Sequence, residues 1–171
     1  MTGFWISDCA EMGATQRLNL TYFLARLAST GLDHDRLFQF SLLVSRDTFE
    51  TARPLGSLSD ASTDTASIAA FLPSACAWLR EAGRKIISLS DASWMDCPDD
   101  LENSGPTPLR WMYWLKRLDE IAQVAAQAGE EQLAEDAEWT IDVMLGELEE
   151  RESTVLSEYE RPIEWAEWFI R

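Results

Sequence analysis

The feature that most restricts what this chain can fold into is the period of its apolar residues. They return every three or four positions, and no stretch alternates apolar with polar over the length of a strand. Leu20, Phe23, Leu24, Leu27 and Ala28 keep that spacing, and Ala75, Trp78, Leu79, Ala82 and Ile86 repeat it. So do Trp111, Trp114, Leu115, Leu118, Ala122 and Ala125, then Leu133, Ala137, Ile141, Met144, Leu145 and Leu148. Such spacing lines side chains along one face of an α-helix, whereas a strand needs a period of two. The fold class that follows is all-α, an irregular bundle of about six helices.

Gly, Pro and Asp punctuate these stretches. The first helix is expected from about Thr15 to Thr30, with Gly31 as its stop. The second starts at a cap on Asp33 or Asp35 and reaches about Arg53, before Pro54 and Gly56. Its Leu37, Phe38, Phe40, Leu42, Leu43, Val44 and Phe49 cover more than one face, which predicts the central position. Residues 57–65 are Ser, Thr, Asp and Ala, a linker or loop. A third segment runs from about Ala66 to Leu89, where Pro73 should kink the helix or start a new one. Residues 90–107 form a long loop, followed by a helix from Pro108 to Gly129 and another from Glu130 to Glu152. A short last helix, Pro162 to Ile170, carries Ile163, Trp165, Trp168 and Phe169 and is expected to close the bundle rather than be offered to another subunit. With 171 residues and 46% hydrophobic content, the chain fits a single helical domain over residues 1–171.

Charge narrows the partners. Thirty acidic residues face fourteen basic ones, a formal net charge of −16. Residues 1–99 hold twelve acids and eight bases, so residues 100–171 hold eighteen and six; the two parts carry −4 and −12. Nucleic acid and anionic membrane surfaces repel such a chain at long range. A basic protein surface and an apolar small molecule remain as partner classes. No apolar run approaches the roughly 20 residues of a membrane helix, and the first residues lack the pattern of a secretion signal. Cys9, Cys76 and Cys97 are sparse and lack metal or redox spacing, as expected of reduced thiols in the cytoplasm.

From Pro108 to Leu118 the chain reads Pro-Leu-Arg-Trp-Met-Tyr-Trp-Leu-Lys-Arg-Leu, which places Arg110, Trp111, Trp114 and Arg117 in the order Arg-Trp-x-x-Trp-x-x-Arg. This segment resembles a fungal family of uncharacterised all-helical proteins, a domain of unknown function. The run Ala77-Trp78-Leu79-Arg80-Glu81-Ala82-Gly83 and the helix from Leu18 to Leu27 are similar to that family as well. The resemblance implies a helical fold and a eukaryotic cytosolic setting. It implies no reaction and no site residues.

Each constellation with chemical potential has a plain reading beside it. His34, the one histidine, lies in Asp33-His34-Asp35-Arg36 and reads as part of a helix start rather than an acid–base pair. The carboxylates Asp91, Asp96, Asp99, Asp100 and Glu102 miss the alternation of a calcium loop and read as a solvated loop. No metal site and no cofactor is implied. Glu131, Glu135, Glu138 and Asp142 form a stripe that reads as a solvated face or, failing that, a docking surface for a basic partner; Glu147–Arg151 is its one obvious compensating pair. The eight tryptophans are either core residues or the walls of a pocket near Trp78, Arg110, Trp111 and Trp114. Two functions follow. One is a non-catalytic helical binding module, monomeric or homodimeric, for a protein or an apolar small molecule. The alternative is a cofactor-free enzyme of isomerase or cyclase type, acting on an apolar metabolite in a Trp-lined pocket.

Overall fold

The computed structural model describes residues 12–31, 34–58, 67–91 and 105–151. Within them stand five helices: α1 (Ala14–Ser29), α2 (His34–Phe49), α3 (Ile68–Asp91), α4 (Pro108–Ala128) and α5 (Glu131–Arg151). The fold is an all-α irregular bundle. The expected last helix at 162–170, the carboxylates from Asp96 to Glu102 and the cap at Asp33 lie outside the described residues.

The hub is α3, not α2 as its apolar surface predicts. It alone among the described helices packs against all four others. Its run of fully buried residues (Leu72, Ala75, Cys76, Ala77, Trp78, Leu79, Ala82, Ile86 and Ile87) is wider than the single stripe read from the sequence. Burying each large side chain stabilises the fold by about 1.5–3 kcal/mol. Pro73 lies inside α3 and does not start a new helix. Its ring forfeits one backbone hydrogen bond, and the packing on both sides offsets that local loss. The first turn of α3 gains partners from the preceding strap, where the Ile68 and Ala69 N–H groups donate to the Pro54 and Leu55 carbonyls at 2.8 and 2.9 Å.

In α1 the buried face is turned from the expected one. Thr21, Ala25 and Ala28 are buried, Leu24 and Leu27 are partly covered, and Phe23 stands 62% exposed. Small residues let α1 lie close on α3, where the Thr21 hydroxyl reaches Ser74 Oγ at 3.4 Å. Helix α2 stops at Phe49, short of the expected Arg53. The side chain of Arg53 turns back instead, donating to the Asp47 carbonyl at 3.0 Å and lying 4.3 Å from the Phe71 ring centre.

Helix α4 follows its sequence signals closely. Thr107 caps it by accepting from the Arg110 N–H, Pro108 occupies the first turn, and Gly129 ends it at φ 77°. Glycine alone adopts that left-handed turn without strain. The turn leads directly into α5, whose Leu133, Ala137, Met144 and Leu148 are buried as the spacing predicts, with Ile141 and Leu145 half-buried. Trp139 departs from the other described tryptophans: it is 57% exposed.

Candidate functional site

The Arg-Trp-x-x-Trp spacing puts Arg110 and Trp114 one turn apart on α4, so both can reach the same point on a neighbouring helix. That point is Glu50, at the exit of α2. Arg110 Nε donates to Glu50 Oε1 at 2.7 Å and Nη2 donates to Oε2 at 3.2 Å, a two-pronged pair. The third guanidinium nitrogen, Nη1, donates to the Gly105 carbonyl at 3.0 Å. Trp114 Nε1 donates to Glu50 Oε1 at 3.0 Å, and Arg46 Nε lies 3.5 Å from Oε2. The Arg110 side chain is 3% exposed and that of Glu50 13%. Two charges are thus held almost out of water, and each is met from several directions.

The other two expected residues lie in the same core but outside this network. Trp111 rests on α3 where Gly83 leaves room; a Cβ at Gly83 would stand 3.6 Å from the Trp111 ring. Trp78 packs against Phe40 with ring centres 5.9 Å apart, and Phe49 against Trp114 at 6.2 Å. All three tryptophans, Trp78, Trp111 and Trp114, are essentially fully buried. The indole N–H groups of Trp78 and Trp111 meet no acceptor among the described residues, and the Ser45 and Ser90 hydroxyls share that state. An unmet buried donor costs about 1–3 kcal/mol.

Reading the sequence identified Arg110 and Trp114 but missed Glu50, their common partner, sixty positions away along the chain. A buried arginine demands a carboxylate, yet nothing local singles out one of thirty acids. Arg80 was missed as well. It crosses from α3 to α5, where its Nη1 donates to Asp136 Oδ1 at 3.3 Å and its guanidinium lies 4.2 Å from the Trp139 ring centre. Glu147 lies 3.7 Å from Arg84 on α3, and Glu150 accepts from the same arginine at 3.2 Å; the side chain of Arg151, the expected partner of Glu147, lies outside the described residues. The outer stripe is exposed as predicted: Glu131, Glu135, Glu138 and Asp142 all face water.

One buried thiol lies between α3 and α5. Burial pushes Cys76 up to about 11 and outweighs a stabilising hydrogen bond from Thr140 and the charge of Arg80. Such a thiol is protonated at neutral pH and is no nucleophile. Among the described residues no three His, Cys, Asp or Glu side chains are grouped to hold a metal ion, and no helix is long and apolar enough to cross a membrane.

With this geometry in hand, a family model described as "Protein of unknown function (DUF3632)" matches residues 1–118. The chain belongs to that family. The DUF3632 match takes in α1, α2, α3 and the first half of α4, and so contains Glu50, Arg110 and Trp114. A relative from Penicillium oxalicum, named "Oxopyrrolidines biosynthesis cluster protein G", is 35% identical over 178 aligned residues covering 91% of this chain. The chain spans about half the length of that relative, 50%. No solved structure matches.

Proposed function

We propose that this chain is a non-catalytic, cytoplasmic binding module that engages a protein partner through its helical surface. One contrast carries the reading. Inside the bundle, the charged groups at the Arg-Trp-x-x-Trp helix already satisfy one another. Outside, the carboxylates of the α5 stripe meet no cation among the described residues. In this reading the signature in α4 is a structural lock that holds α2, α4 and the Gly105 turn together. The relative's name supplies a setting, the biosynthesis of a small molecule, in which the module would accompany other proteins.

A small-molecule reading is favoured by a separate observation. The indole N–H groups of Trp78 and Trp111 are buried donors without acceptors among the described residues, which an apolar ligand bearing a carbonyl would satisfy if the bundle opened to admit it. A cofactor-free enzyme asks for more, a carboxylate beside those rings that is free to move a proton. Glu50, the acid against Trp114, already accepts from Arg110 and Trp114.

Native mass spectrometry of the protein purified from its own host separates these readings. A complex with a second, different polypeptide is the expected result. A monomer that retains a discrete mass of a few hundred daltons would overturn it in favour of the small-molecule site.

A further inference from the structure

Among the described residues no ion pair or hydrogen bond reaches the exposed acids on the outer face of α5, which has an aromatic residue at its centre. Trp139 is 57% exposed, an unusual cost for the largest apolar side chain. The ring is nonetheless held in place. Arg80, whose side chain is 7% exposed, lies 4.2 Å from the ring centre. That arginine is itself anchored, donating through Nε to the Cys76 carbonyl and through Nη1 to Asp136 Oδ1, both at 3.3 Å. Trp139 therefore stands as a fixed indole with a cation over its ring and more than half of its surface in water.

The charges around it indicate what could cover it. Glu135 lies one turn before Trp139 and Asp142 one turn after, with Glu138 adjacent and Glu131 continuing the row. All four are exposed, and none meets a cation among the described residues. The inner edge of the same helix differs, because Asp136, Glu147 and Glu150 each face an arginine of α3. An apolar ring in an anionic rim is complementary to one kind of surface, a helix or extended segment that presents apolar residues among Lys and Arg. Arginine or lysine would stack on the indole and meet the rim at once. A second copy of this chain fits poorly, since its matching face carries the same sign.

We infer that the outer face of α5, centred on Trp139 and bounded by Glu131, Glu135, Glu138 and Asp142, is the docking site for a basic amphipathic segment of a partner protein. The inference rests on reading the chain as a protein-binding module and specifies where that module binds.

The test uses the full chain and a synthetic amphipathic helical peptide with Lys on one face and Leu on the other, at physiological ionic strength. Carbodiimide coupling, which joins only amines and carboxylates in contact, should link peptide Lys to Glu135, Glu138 or Asp142. Trp139→Ala leaves the protein's charge unchanged and should weaken binding by about tenfold or more. Trp139→Phe should recover part of that loss, and thermal melting checks that both variants are folded. Wild-type affinity in Trp139→Ala, or coupling confined to carboxylates off α5, would overturn the docking site. If the native complex survives Trp139→Ala, the face is wrong and the module stands. If no polypeptide partner is retained at all, the module reading itself fails.

Discussion

Glu50 and the α5 stripe show how the same functional group serves opposite ends. Glu50 lies almost out of water, and Arg110, Trp114 and Arg46 leave it little unmet capacity. Glu131, Glu135, Glu138 and Asp142 lie in water and meet no cation among the described residues. The tryptophans divide in the same way, Trp114 buried against its acid and Trp139 exposed among several. Where a carboxylate and an indole are closed on each other, they fix helix positions. Where both are left open, the fold gains little from them.

That comparison can be broken by substitution. The largest effect is expected at the closed junction. Arg110→Met strands Glu50 and should lower unfolding free energy by about 3–4 kcal/mol in urea titrations, while Glu50→Leu/Arg110→Met should recover most of it. Next is the interior's response to alkali. The unfolded Cys76 thiol ionises near 9.0, and the folded one is pushed up to about 11. Between those values the unfolded chain has released its proton and the folded chain has not, so stability falls as pH rises. The loss should total about 2–3 kcal/mol and largely vanish in Cys76→Ala. Tyr113, also raised by burial, pulls in the same direction. Third, Trp114→Phe keeps the ring contact with Phe49 but removes the donor to Glu50, for a cost of about 1–2 kcal/mol. On the open face, Trp139→Ala should cost about 1 kcal/mol, since the ring is 57% exposed and its cation–π contact with the buried Arg80 is the main interaction lost. Smallest of all, Glu138→Gln should leave the melting temperature unchanged or raise it slightly, by relieving repulsion worth a few tenths of a kcal/mol. A large loss of stability in Trp139→Ala would erase the distinction between the two regions.

Much of the bundle was legible from spacing and punctuation. Thr107, Pro108 and Gly129 marked α4 because capping and left-handed turns act within a few residues. The burial of Trp111 and Trp114 followed from the same period. What escaped the sequence was decided between helices. Choosing α3 over α2 as the hub depends on which apolar surface finds the most neighbours, and the period of either helix is silent on that. The face of α1 turned because close packing on α3 favours Thr21, Ala25 and Ala28 over Phe23. Glu50 stayed hidden because its partners come from a helix sixty positions away. Trp139 was read with the other tryptophans as core or pocket wall, because its apolar bulk says nothing of the arginine against its ring.

The continuity of α3 through Pro73 has a consequence for how the molecule comes apart. Every other described helix leans on this one rod, so no part of it can fray inward without stripping neighbours on several sides. Its central amides, around Trp78 and Leu79, should therefore exchange with solvent only when the whole assembly opens. Those of α1, held chiefly through small residues, should exchange by local detachment well before that. The hub then sets the cooperativity of unfolding, and the helices around it differ in how soon they let go.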